Sequence, residues 1–242
     1  MKTILLSLSG VLFLGCSSKN LDLSWQKTKD ASYKAISDPV TWVPAVGATA
    51  LYATYDDDIT QYYMDHNIIN NNIDEPLRHL NGTLLYASAI FAQNETKEQT
   101  TKRLAVDIIS SNSAKIITGE IGYIVTKKTP NGEHNDAIGS HHATDTFANS
   151  ALTRKNVKNM SIPNWGKYTI NTISYISATG SAFVRVQGGG HSFGDQMMNA
   201  SIGNFVGVFF YELFFDKNEN SLQSINAITR KDKVYITTNW SF

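Results

Sequence analysis

Cysteine is nearly missing from this chain: there is one, Cys16, in 242 residues, so no internal disulfide can form. Neither sign of charge is in excess, with 21 Lys plus Arg against 21 Asp plus Glu, so no overall field draws the protein toward nucleic acid. Proline (5) and glycine (16) are ordinary, which excludes a collagenous or Pro-rich chain. Long apolar runs are also absent. The most apolar of the expected helices, Met197 to Phe215, is interrupted by Asn199, Ser201, Asn204 and Glu212, and no window reaches the roughly 18 apolar residues of a membrane span. What the chain does have is 42% hydrophobic and 17% charged residues. That suffices for one large domain with its own core and argues against disorder or a coiled coil.

Met1-Lys2 precedes an apolar run, Ile4 to Leu14, of the length of a secretory h-region and too short to cross a bilayer core of about 30 Å. Residues 1–15 are expected to be a signal peptide. The run ends Leu12-Phe13-Leu14-Gly15-Cys16-Ser17-Ser18, which resembles a bacterial lipobox, in which Cys16 would take the lipid. Acyl chains contribute about 0.8 kcal/mol per buried methylene, so several of them hold a protein on a membrane without a spanning helix. The alternative is a soluble periplasmic protein with an ordinary signal. No Asp follows Cys16 directly, so the resemblance implies the periplasmic side of the outer membrane of a bacterial cell envelope.

Residues 16–29 are polar and read as a lipidated tether, with the fold starting near Asp30. From there apolar residues recur at helical spacing, which predicts helices over Pro39 to Tyr55, Asp58 to Ile69 and Glu75 to Ala92, the first two with an Asp just ahead as a cap. A longer one is predicted from Asn94-Glu95-Thr96 to about Val125. Thr129-Pro130-Asn131-Gly132 breaks the pattern, because Pro removes a donor and Asn-Gly favours a turn. Helices resume around Ser140 to Arg154, Lys167 to about Thr179 and Ser192 to about Phe215, and alternation over Leu222 to Thr229 and Lys233 to Trp240 predicts a short C-terminal β-hairpin. The expected fold class is all-α, a helical bundle over residues 30–220 with the hairpin in 221–242.

Four of the six His, namely His134, His141, His142 and His191, fall between the long helix and the last one. Around the last of them the chain reads Arg185-Val186-Gln187-Gly188-Gly189-Gly190-His191-Ser192-Phe193-Gly194-Asp195. If a helix starts at His191 or Ser192, His191 and Asp195 share a face, the carboxylate can hold the imidazole Nδ1, and Nε2 is left to attack. Glycines, a helix N-terminus and the Arg185 guanidinium together suit a phosphate-like anion. A capping pair of Ser192 with Asp195, with His191 packed beside it, fits the same residues. A second polar loop, Gly139-Ser140-His141-His142-Ala143-Thr144-Asp145, also feeds a helix. Ser140 can cap it and offer a hydroxyl to an oxyanion, and His142 can supply a proton; a capped helix with surface histidines is the alternative. His141, His142, Asp145 and His191 are also conceivable metal ligands, without a His-Glu-x-x-His arrangement to support them.

The two elements together resemble the type 2 phosphatidic acid phosphatase superfamily, which includes bacterial acid phosphatases and vanadium-dependent haloperoxidases. Its last motif is Ser-Arg, five residues, His, three residues, Asp; Arg185, His191 and Asp195 keep that spacing, with Val184 in place of Ser. Its middle motif, Pro-Ser-Gly-His, is similar to Gly139-Ser140-His141-His142. The family's first motif is Lys, six residues, Arg-Pro; Pro130 is in place, but Gly122 stands for the Lys and Thr129 for the Arg. Lys127 and Lys128 are the neighbouring cations that could substitute, and Lys115 lies further back.

The resemblance implies a phosphatase-like hydrolase of phosphomonoesters or lipid phosphates. His191 would be the nucleophile, Asp195 its orienting carboxylate and His142 the acid and then base. Arg185, Ser140, Gly190, Lys128 and Lys127 would hold the phosphate oxygens. It implies no metal or other cofactor and no nucleic-acid partner; the membrane contact would be the N-terminal lipid. A vanadate-dependent haloperoxidase would need the full positive charge of the first motif. The losses there also leave open a degenerate family member acting as a binding or structural lipoprotein.

Overall fold

A computed structural model describes residues 25–66, 68–93, 97–134, 138–215, 225–230 and 233–238. The expected signal peptide, Cys16 and most of the tether lie outside them. Among the described residues eight α-helices form the body: α1 (Trp25–Ser37), α2 (Pro39–Tyr52), α3 (Asp56–Asp65), α4 (Asp74–Phe91), α5 (Lys97–Ile124), α6 (His141–Lys158), α7 (Asn164–Gln187) and α8 (Phe193–Phe214), with a 3-10 turn at Asn71–Ile73. The all-α expectation holds for this body. At the C-terminal end the backbone of β1 (Ile225–Arg230) and β2 (Lys233–Thr238) runs antiparallel, Ile225 opposite Thr238. Among the described residues no helix is long and apolar enough to cross a membrane.

Helix α8 is the axis: α6, α2, α5 and α1 all pack on it. It meets α6 at backbone distance because glycines face that helix. A Cβ on Gly203 would lie 2.3 Å from Thr144 O, and one on Gly207 would lie 2.8 Å from Ala148 O. Where the two helices come closest, Thr144, Ala148 and Ala151 of α6 stand against these glycines. Polar members of this core are bonded across helices. Asn81 on α4 donates to Ser150 Oγ at 2.9 Å and to Ser174 O at 3.0 Å, tying α4, α6 and α7. Asn204 on α8 donates to Thr41 Oγ1 on α2 at 2.7 Å and accepts from Tyr175 on α7 at 3.0 Å.

Several boundaries differ from the expected ones. Residues 25–29 are helical, where a tether was expected. Helix α3 begins at Asp56, and its first residue makes no local cap; the Asp56 carboxylate is used elsewhere. Helix α7 runs through Gly180 to Gln187, well past Thr179. Gly180 is the place where Leu77 of α4 closes in, 2.8 Å from where a Cβ would stand, so this glycine serves packing and does not end the helix.

Candidate active site

Two helices point their N-termini at the same end of the bundle. Ser140 caps α6 by accepting the Ala143 N–H at 3.4 Å, and Ser192 caps α8 by accepting the Asp195 N–H at 3.2 Å. Gln196, in the first turn of α8, donates to Ser140 Oγ at 3.4 Å, so the starts of α6 and α8 meet. The Pro130 loop joins them: Asn131 N–H donates to Gly189 O at 3.1 Å. Gly189 has φ +70°, and a Cβ there would crowd Asn131 Cβ at 3.1 Å and Met64 Cε at 2.8 Å, so only glycine lets the two loops close. The Pro130 loop, the Ser140 turn and the start of α8 are thus brought into one place.

His142 lies in the first turn of α6, and its Nδ1 is 2.8 Å from Asp74 Oδ2, at the start of α4. Ser181 on α7 donates to the other oxygen, Asp74 Oδ1, at 2.5 Å. Burial by itself would raise the Asp74 carboxyl, but the hydrogen bonds from His142 and Ser181 and the charges of His142 and Arg78 prevail and hold it below the ordinary carboxylate range. An anion fixed at Nδ1 keeps a proton on that nitrogen and leaves Nε2 as the nitrogen that can exchange one. Sequence reasoning missed Asp74, which lies 68 positions from its partner. His141, beside it, points the other way and covers Gly119 of α5, 3.0 Å from where a Cβ would be.

The His191 segment differs from the expected helix face. Helix α8 begins at Phe193 with Ser192 as N-cap, so the buried His191 precedes the helix and the four-residue face does not apply to it. Asp195 closes a capping box, accepting Ser192 N–H on Oδ2 at 2.9 Å. Its other oxygen accepts from Lys127 Nζ at 2.9 Å and from Tyr52 OH at 2.8 Å. Burial opposes the Asp195 charge, yet Lys127 and the Ser192 donors outweigh it and lower its pKa. Tyr52 is pushed above its ordinary value, by burial first and then by the Asp195 charge, so it stays a donor.

Asp56 completes this cluster. Its Oδ1 accepts Gly194 N–H at 2.7 Å, its Oδ2 accepts Ser192 Oγ–H at 2.6 Å, and Lys127 Nζ stands 3.4 Å away. With Phe193 N–H donating to Thr60 Oγ1 at 3.1 Å, the first amides of α8 are all satisfied by side chains. The glycine loop is similar: the N–H groups of Gly188, Gly189, Gly190 and His191 donate to carbonyls of Val184, Val186 and Arg185 in the last turn of α7. This corrects two expectations. The Gly190 amide closes α7 and does not point at an anion, and the helix N-terminus at α8 holds the Asp56 carboxylate in the position an external anion would take.

The expected cations divide. Arg185 lies over the glycine loop, its Nη2 3.1 Å from where a Gly190 Cβ would be, and its Nε is buried without a hydrogen bond among the described residues. Lys127 is held by Asp195 and Asp56 above the Tyr52 ring, 4.5 Å from its centroid. Lys128 is exposed. Lys115 pairs with Asp145 at 3.2 Å. Thr129 is buried and builds the loop: its hydroxyl donates to Asn131 Oδ1 at 2.7 Å and accepts His134 N–H at 3.1 Å. Among the described residues no three of His, Cys, Asp or Glu come together as metal ligands, so His141, His142, Asp145 and His191 do not form the alternative metal site.

What is left for chemistry is an imidazole with a fixed tautomer, a buried second imidazole, an unpaired guanidinium nitrogen and the start of α6, where the N–H groups of His141 and His142 have no intrahelical acceptor. The chain matches no known family, no characterised protein and no solved structure.

Proposed function

We propose that the chain is a phosphate-ester hydrolase working through a phosphohistidine on His191, in a bundle of the phosphatidic acid phosphatase type that ends in a hairpin. The observation that carries this reading is the meeting of the Pro130 loop, the Ser140–His142 turn and the Arg185–Asp195 segment at one end of the bundle. His142 enters as the imidazolium, its Nδ1–H held by Asp74; a ring nitrogen of His191 attacks phosphorus, the P–O bond to the leaving alcohol breaks, and the proton on His142 Nε2 passes to that oxygen. His142 then takes a proton from water, whose oxygen attacks phosphorus as the P–N bond breaks. Arg185 and the first amides of α6 bind the equatorial oxygens, where transition-state charge gathers. Asp74 keeps His142 in the useful tautomer, and Asp195 acts from the start of α8. The reading places the protein on the outer membrane, anchored by lipid on Cys16.

A second reading, a family member that binds without turnover, is favoured by one observation: Lys127 and the α8 N-terminus are taken up by Asp195 and Asp56. The test is hydrolysis of a chromogenic phosphomonoester and of a short-chain phosphatidic acid, beside His142→Ala and Asp56→Asn. Turnover lost in His142→Ala supports the hydrolase. A folded protein with no turnover, in which Asp56→Asn restores none, supports the binding protein.

A further inference from the structure

Helix α2 contains no charged residue at all, yet it lies on the surface. Pro39, Trp42, Val43, Val46, Thr49 and Ala50 are exposed along it, which is a nearly continuous apolar face of a kind that isolated surface residues do not make. Helix α1, which touches α2 and packs with it on α8, adds a second stripe. Trp25, Tyr33 and Ile36 are 80%, 73% and 58% exposed and fall within one arc of the helix, with exposed Lys29 among them. Both outer faces turn away from α8.

We propose that the outer face of α1 and α2 lies against the surface of the membrane that the N-terminal segment reaches. Trp and Tyr with a Lys beside apolar side chains are the composition of an interfacial helix, where rings sit at headgroup level and the ammonium meets anionic lipid. The length of chain ahead of this face points to the same occupant. Ser17 to Ser24 is all that separates Cys16 from Trp25, a reach of about 30 Å at most when extended. A lipid on Cys16, or an apolar run Ile4 to Leu14 left in place, therefore delivers α1 to the bilayer. The orientation has a consequence for the candidate site. Tyr52, the last residue of α2, donates to Asp195, so the end of this face leads to the start of α8. The proposal rests on the membrane-anchored reading and not on hydrolysis.

The chain has four tryptophans, Trp25, Trp42, Trp165 and Trp240, which allows a direct test. Full-length protein purified from membranes is reconstituted into phosphatidylethanolamine–phosphatidylglycerol vesicles with brominated acyl chains, in variants that keep Trp42 alone or Trp165 alone, the others replaced by Phe. Trp165 is 73% exposed on α7, which packs on α4 and α6. Emission from Trp42 is expected to shift to the blue and fall about twofold or more, that of Trp165 to stay unchanged, and Val43→Glu with Val46→Glu to abolish the Trp42 effect. Equal quenching of both rings, or quenching of neither, overturns the proposal. So does a dimer in sedimentation without vesicles that Val46→Glu dissociates, since a second copy would then cover the face. Mass spectrometry of the same preparation reports lipid on Cys16, which separates failure of the anchor from failure of the face.

Discussion

Lys127 Nζ stands 2.9 Å from Asp195 Oδ1, so a cation just ahead of the Pro130 loop is tied to the carboxylate in the first turn of α8. The Lys127 side chain is 34% exposed, while Asp195 and Asp56, its two acidic partners, are 0% and 6% exposed. Removing the ammonium leaves two buried carboxylates at the start of α8 without their counter-ion. Lys127→Met is expected to destabilise the fold by about 3 kcal/mol, the lower end for breaking a buried ion pair because this lysine is partly solvated. Chemical denaturation measures it. A variant within about 0.5 kcal/mol of wild type, the range of ordinary surface substitutions, would mean that the pair contributes nothing.

Asp195 sets the pH window for the same cluster. A carboxyl whose folded pKa is depressed stabilises the fold above its unfolded pKa, near 3.8 for this group, and loses that contribution as pH falls through the lower folded value. Acid unfolding of wild type should therefore be steeper than that of Asp195→Asn below about pH 4. Equal acid limbs in the two proteins would contradict the assignment.

Asp107 has the opposite sign. It is fully buried between α5 and α6, where Asn156 donates to its Oδ2 at 2.8 Å and its Oδ1 has no hydrogen bond among the described residues. Burial drives its pKa up to about 7 against the Asn156 hydrogen bond and the Arg103 charge. The folded state thus holds a proton that the unfolded chain releases, and stability from this group is complete at acid pH and declines as pH rises from about 4 to about 7. Asp107→Asn should remove that decline while keeping the bond from Asn156. Parallel stability curves for wild type and variant across this window would contradict it.

Asp74 is a positioning residue for His142. Asp74→Asn keeps the shape of the side chain and removes the anion at His142 Nδ1, and turnover is expected to fall about 100-fold with KM little changed. The split distinguishes tautomer control from a damaged fold. A rise in KM alone, or a matching loss of thermal stability, would assign Asp74 to structure.

The helices were legible because each has a local signature. Ser140 and Ser192 lie at the caps they were expected to make, and Gly203 and Gly207 mark the close approach of α6 and α8. The partners of the candidate site residues were not, because they are set by long-range packing. Asp56 reads in sequence as the first acid of its own helix, but its carboxylate caps α8 from 138 positions away. Asp74 likewise reads as an ordinary acidic first-turn residue of α4, and only the docking of α4 on α6 brings it to His142. The helix expected to stop near Thr179 continues through Gly180, because a glycine that ends a helix and one that admits a neighbouring Leu are written alike. Thr129 was legible only as a lost cation; its role in closing the loop with His134 needs the fold.

The measurement that bears most directly on the central claim is trapping of the covalent intermediate. Wild type, His191→Ala and His142→Ala are mixed briefly with a phosphomonoester labelled at phosphorus and quenched in base. The account predicts acid-labile, base-stable label on wild type, none on His191→Ala, and no steady turnover in His142→Ala. Label that persists in His191→Ala, or hydrolysis unchanged by that substitution, would contradict a phosphohistidine on His191.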